Sequence, residues 1–229
     1  MKKWLLHVLD FVMPAECHIC GSRLAIYEKF VCTSCIKAFP RTGYHRITMN
    51  PMEQRFAGMF PYEKATGYFF YSRDSSVSRL IQDMKYRNFP DIGILLGNVV
   101  GRELSITGFF NDIDLIVPTP MHFLKKGKRG YNQVEKIAEG LSEATGISTA
   151  DVLKMTRRHK TQTALDKHQR FQNTEGLFAM KKGADVSGKG ILLVDDVCTT
   201  GSTITSAAKA IHSANRDVRL SILTIGVTF

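Results

Sequence analysis

Ile191-Leu192-Leu193-Val194 runs into Asp195-Asp196 and then, through Val197-Cys198, into Thr199-Thr200-Gly201-Ser202-Thr203. Four aliphatic residues without polar alternation make a strand buried on both faces, as strands are in a parallel sheet covered by helices. The Thr/Gly/Ser loop opens a helix predicted over Thr203–Ser213. Further helices are predicted at Ser75–Tyr86, where Val77, Leu80, Ile81 and Met84 share a face, at Ile92–Leu104 and at Val134–Ala144. Asn132 begins the last of these, with Glu135 placed for a capping box. Strands are predicted at Phe56–Tyr62 and Gly67–Tyr71, joined by a turn at Glu63–Thr66, and at Ile113–Val117 and Val218–Ile225. Strands alternating with helices give an α/β fold with an open parallel sheet.

The loop after the acids has the chemistry of a phosphate site. Backbone N–H groups at the start of a helix wrap a phosphomonoester, and Thr199, Thr200, Ser202 and Thr203 add hydroxyl donors. Gly201 lets the backbone approach closely. Asp195 and Asp196 would repel a phosphate and suit a cis-diol, or the outer sphere of Mg(II). A 5-phosphoribose combines both demands. Gly183–Lys189 fits the spacing of a nucleotide-binding P-loop, but Gly190 and a strand follow where Ser or Thr and a helix are required. A nucleotide-driven motor is excluded.

Four of the five cysteines lie within nineteen residues, as Cys17-His18-Ile19-Cys20 and Cys32-Thr33-Ser34-Cys35. Two C-x2-C pairs in a reducing compartment predict a tetrahedral zinc site, each pair turning two thiolates inward. Four thiolates leave no open coordination position, so the zinc is structural and His18 reads as a bystander, a competing ligand or two redox or disulfide pairs being the alternatives. Such a metal folds a segment too short to make its own core.

Composition excludes disorder, collagen and coiled coil: 44% of residues are hydrophobic and 23% charged. The net charge of +10 points to polyanionic partners. Met121–Arg170 carries eleven basic and five acidic residues, more than half of the net charge. The candidate anion-binding groups there are Lys125, Lys126, Lys128, Arg129, Arg157 and Arg158. They exceed what one diphosphate needs, and single-stranded DNA would use the surplus, with Phe123, Tyr131 and Phe171 as candidate stacking platforms. Lys2-Lys3 and the apolar run to Met13 are half the length of a transmembrane helix. A cytoplasmic location is expected, with peripheral contact at the inner membrane through this helix as the alternative.

From about Met13 onward the chain resembles the ComF (ComF/GntX) family of competence-associated proteins. The resemblance rests on the four cysteines, Met84-Lys85-Tyr86-Arg87, Val117-Pro118-Thr119-Pro120-Met121-His122 and Lys128-Arg129-Gly130-Tyr131-Asn132-Gln133. It continues through Thr161-Gln162-Thr163, Arg170-Phe171-Gln172-Asn173 and Val194–Gly201. It implies a type I phosphoribosyltransferase fold with an N-terminal zinc ribbon, divided here as 1–48 and 49–229. By motif matching, Asp195 and Asp196 would contact ribose hydroxyls and Thr199, Thr200, Gly201, Ser202 and Thr203 the 5-phosphate of phosphoribosyl diphosphate, with Mg(II). The basic connections would hold the diphosphate. Cys198 departs from the larger aliphatic residue usual in the motif and reads as a small buried hydrophobe, a redox-sensitive thiol being the alternative.

Two function classes follow. The first is a DNA-uptake factor that binds single-stranded DNA and phosphoribosyl diphosphate, working with uptake-machinery proteins at the inner membrane. The second is a conventional phosphoribosyltransferase that joins a base to the sugar.

Overall fold

The computed structural model describes residues 15–121, 126–127, 129–156, 176–215 and 217–228. In chain order its elements are α1 (Thr33–Lys37), a 3-10 turn (Tyr44–Arg46), α2 (Pro51–Phe56), β1 (Lys64–Phe70), α3 (Ser76–Tyr86) and α4 (Asp91–Ser105). There follow β2 (Leu115–Pro118), α5 (Gln133–Thr145), β3 (Leu153–Met155), β4 (Phe178–Met180), β5 (Gly190–Cys198), α6 (Ser202–Ala214) and β6 (Arg219–Val227). The main sheet has the order β1-β6-β5-β2, with every neighbour parallel. β3 and β4 form a separate antiparallel pair.

Strand alternation sorts side chains into two layers. Leu192, Val194, Leu223 and Ile225 pack with α3, α4 and α5, whereas Ile191, Leu193, Leu220 and Ile222 pack with α6. The aliphatic run at 191–194 is buried on both faces, as its sequence requires. α4 and α5 approach backbone to backbone. A Cβ at Gly97 would stand 2.2 Å from the Ile137 carbonyl oxygen, and one at Gly140 would stand 2.1 Å from that of Ile94.

Expectations fail in two places: Asn132 caps α5 through the Val134 amide without completing a capping box with Glu135, and Phe56–Thr66 is misread. Phe56–Tyr62 is not a strand. Asn50 caps α2 there, its side chain accepting from the Met52 and Glu53 amides while Glu53 accepts from the Asn50 amide, with Pro51 at the first helical position. The residues predicted as a turn, Glu63–Thr66, instead lead into β1. Apolar residues from 56 to 62 pack the end of this short helix, which periodicity over so few positions does not separate from a strand.

The cysteine-bearing segment shares the core of the sheet domain. Cys17, Leu24, Val31 and Phe39 belong to the cluster formed by α3, α4 and α5. His18 Nδ1 lies 2.9 Å from Asp83 Oδ2 of α3, and its ring packs edge-on against Phe30 and Phe89. Arg41, just beyond the segment, makes a two-pronged contact of 2.6 Å with Glu103 of α4, which also accepts the Tyr68 hydroxyl at 2.5 Å. No described helix is long and apolar enough to cross a membrane. The N-terminal run to Met13 lies outside the described residues.

Candidate functional site

β2 ends opposite Val194, whereas β5 continues beside β6 to Cys198. Asp195 and Asp196 therefore lie past the end of β2, at the carboxyl edge of the sheet. Thr119, leaving β2, bonds the Val194 carbonyl through its amide at 2.9 Å and Asp195 Oδ1 through its hydroxyl at 2.8 Å. The Asp196 amide donates to that same oxygen at 3.0 Å. Asp196 Oδ2 accepts from Lys85 Nζ of α3 at 2.6 Å and from Gln133 Nε2 of α5 at 2.8 Å. Asn132 caps α5 through the Val134 amide and holds the Thr119 carbonyl at 3.0 Å. Glu135 takes the Asn132 side-chain amide at 3.4 Å and Lys126 at 3.0 Å.

Electrostatics set the two acids apart. Burial, reinforced by the adjacent Asp196 charge, raises Asp195 to about 7. The Thr119 hydroxyl, the Asp196 amide and Lys85 only partly oppose this. For Lys85, burial works against the charged form, but Asp196 and Asp195 outweigh it and raise the ammonium. Buried acceptors beside a resident ammonium suit neutral hydroxyls or a cation far better than a phosphate.

The phosphate-type loop is shaped from behind. Gly201 has φ +80° and caps α6, and a Cβ on it would stand 2.7 Å from the Phe56 ring. Glycine is required there both by the left-handed backbone and by space. No side chain caps the thirteen-residue α6; within the loop the Thr200 hydroxyl lies 3.1 Å from the Ser202 hydroxyl. Thr199 is exposed, and Thr200, Ser202 and Thr203 are half-buried. Arg55 of α2 ties the loop to the residue that follows β6: Nη1 donates to the Thr199 carbonyl at 2.5 Å and to that of Cys198 at 3.5 Å, and Nη2 to the Thr228 carbonyl at 2.8 Å. Cys198 is buried and its thiol is pushed up by burial, as a small hydrophobe's would be.

Of the basic groups, Lys126 and Arg129 fall among the described residues. Arg129 bonds Gln133 Oε1 and lies over the Tyr86 ring, 5.6 Å from its centroid. Lys125, Lys128, Arg157 and Arg158 lie outside the described residues, as do Phe123 and Phe171. Tyr131 is committed to packing, its hydroxyl donating to the Met84 carbonyl.

The cysteines come together. Sγ atoms of Cys17, Cys20, Cys32 and Cys35 all lie within 4.8 Å of one another, and Cys20 and Cys32 are 3.8 Å apart. That is the edge of a tetrahedron with metal–sulfur bonds of about 2.3 Å, so the donor set fits a tetrahedral ion such as zinc. Cys17 Sγ accepts from the Ile19 and Cys32 amides at 3.5 and 3.4 Å, the bonds of a thiolate-bearing knuckle. Hydrogen bonds from Ser22 draw Cys20 down to about 6, whereas burial and the neighbouring thiols push Cys35 up. His18 points to Asp83.

Sequence reasoning assigned no role to Lys85, Thr119, Gln133 or Arg55. Lys85 stood in the run Met84-Lys85-Tyr86-Arg87 on an amphipathic helix, and Thr119 and Gln133 in two further runs of the resemblance, each without a role of its own. Arg55 carried no signal, because its partners are backbone carbonyls far along the chain.

The family model for the phosphoribosyl transferase domain matches residues 109–224, which run from before β2 through the acids and the loop into β6. The chain belongs to the phosphoribosyl transferase domain family. Its open parallel sheet is the type I form of that fold. Competence protein F of Haemophilus influenzae is 26% identical over 86% of this chain and 90% of its own length. DNA utilization protein YhgH of Escherichia coli K12 is 25% identical over the same shares. Competence protein ComFC of Streptococcus pneumoniae is 36% identical over 45% of this chain and 44% of its own. These relatives and the four-cysteine cluster support a ComF-family phosphoribosyltransferase-like protein. Among solved structures, an adenine phosphoribosyltransferase is 18% identical over 62% of this chain and 73% of its own, with a TM-score of 0.38. The allosteric regulatory enzyme of purine biosynthesis gives 0.41, and this chain spans 29% of it.

Proposed function

We propose that this protein binds phosphoribosyl diphosphate with Mg(II), and single-stranded DNA, in the uptake of transforming DNA. The observation that carries the sugar-diphosphate reading is the pairing of two buried acids with an uncapped helix start across one loop, a diol acceptor next to a phosphate cradle. Relatives named for competence and DNA utilization, and the positive charge of Met121–Arg170, support the DNA part. Asp195 and Asp196 hold the ribose hydroxyls and the outer sphere of Mg(II), Thr199–Thr203 hold the 5-phosphate, and Lys126 and Arg129 face the diphosphate or the strand. When bound, Mg(II) supplies positive charge that stabilises a departing diphosphate. Zinc on the four cysteines holds the ribbon against α3. Uptake-machinery proteins at the inner membrane are the partners this role requires.

Calorimetry with phosphoribosyl diphosphate and Mg(II) is expected to show a single site. The absence of heat would remove the sugar-diphosphate reading. Oligonucleotide affinity is expected to fall steeply with salt, as counterion release demands. Consumption of the sugar diphosphate with a panel of bases would assign the base-joining reaction instead.

Arg55→Met is expected to weaken phosphoribosyl diphosphate binding by roughly 10- to 100-fold, the scale of losing one or two charge-assisted hydrogen bonds. Arg55→Lys is expected to rescue it poorly, because an ammonium cannot bridge the Thr199 and Thr228 carbonyls as the fork does. Unchanged affinity in both variants would show that the loop holds its shape without the clamp.

A further inference from the structure

Tyr86 ends α3 with its side chain turned to solvent, 77% exposed, although Met84 two positions earlier is fully buried. Single exposed aromatics are ordinary. This one differs in its neighbours. The Arg129 guanidinium covers its ring at 5.6 Å, and Arg129 is itself bonded to Gln133, whose amide holds Asp196. The preceding residue, Lys85, holds the same carboxylate, so the ring sits at the rim of the acid site. The following residue, Arg87, is 74% exposed and touches only Asp83, at 3.4 Å, among the described ion pairs.

A flat π surface braced by one guanidinium and flanked by a second matches a ligand that has both a flat ring and an anionic backbone. A peptide acid would use the charges and leave the ring idle. Duplex DNA would offer phosphates, but its bases are already stacked on one another. Single-stranded nucleic acid satisfies both features, since every base has a π face and every linkage a phosphate. We infer that Tyr86 and Arg129 form a stacking platform for one base of single-stranded DNA at the rim of the acid site, with Arg87 beside it for the backbone. This rests on the single-strand reading above, and adds the residue that carries the base contact.

Fluorescence anisotropy with a short labelled oligothymidylate tests it. Tyr86→Ala is expected to weaken binding about 5- to 100-fold, the range for one stacked base, and Tyr86→Trp to bind at least as well as the parent. The salt slope of Tyr86→Ala should match the parent's, because no charge has been removed. Its calorimetric affinity for phosphoribosyl diphosphate should fall by far less than its affinity for the strand. Tyr86→Ala binding the strand as tightly as the parent overturns the platform and leaves the single-strand reading standing. Equal weakening in Ala and Trp also overturns it, as does equal loss of duplex and single-strand binding. If the parent itself does not bind the oligonucleotide, the single-strand reading falls and the platform with it.

Discussion

Asp195→Asn is expected to melt above the parent protein at pH 8 and to lose phosphoribosyl diphosphate binding. In the folded chain burial raises this carboxyl to about 7, against an ordinary value of 3.8. Between those values the folded state holds more proton than the unfolded state, so stability falls as pH rises. The contribution is fully present below pH 4 and is lost by the time pH has passed 7. Asparagine carries no charge at any pH and keeps an oxygen for the Thr119 hydroxyl, which lies 2.8 Å from Oδ1 in the parent. The melting advantage of the variant should therefore grow from pH 4 to pH 8. Two hydroxyls that would have met an ionised acceptor now meet an amide, and affinity should drop by about 100-fold or more. A melting difference that ignores pH would contradict the burial argument, and unaltered affinity would remove Asp195 from the site. The acid is costly to the fold where it stands, the usual mark of a group kept for binding.

Gly140→Ala should lower the urea midpoint sharply, by about 3 kcal/mol or more in free energy, even though alanine is the better helix former by about 1 kcal/mol. The new Cβ would stand 2.1 Å from the Ile94 carbonyl oxygen, which is backbone and cannot rotate away. Gly97 meets α5 in the same way from the other helix, at 2.2 Å from the Ile137 carbonyl oxygen. Relief requires the two helices to separate along their whole contact. Because α5 begins at Gln133 and is capped by Asn132, the separation also disturbs Asp196 and Thr119, so ligand affinity should fall with stability. Gly146→Ala is the control: its φ is +76°, but open space surrounds it, and the cost should stay near 1 kcal/mol. A Gly140→Ala midpoint close to the parent's would mean that the helices pack less closely than described.

Much of this was legible in the chain because it depends on local pattern. Ile191–Val194 announces a strand buried on both faces, and four cysteines in two x2 pairs announce their own convergence. The helices at 75–86, 92–104 and 134–144 are found with their ends shifted by a residue or two. What was not legible depends on partners distant in sequence. Phe56–Tyr62 lacks enough residues for its period to speak, and the Asn50–Glu53 box decides the matter. Gly201 is glycine in part because Phe56, far earlier in the chain, occupies the space behind it. Lys85 stands in a run that carries the family resemblance, but its partner Asp196 shows only when α3 is laid against β5.

Asp83 and Lys85 stand two positions apart on α3, one meeting His18 and the other Asp196. Severing the chain near Thr48 would therefore not release a free-standing module. The remainder would keep Asp83 buried with only the exposed Arg87 at 3.4 Å, and Glu103 without the guanidinium of Arg41. Both carboxylates would exchange a partner for nothing, on the helices that frame the acid site. Grafting the ribbon onto another scaffold would meet the same obstacle in reverse, because Val31 and Leu24 complete a core that belongs to α3, α4 and α5. The small metal-type segment is part of the wall, not an attachment to it.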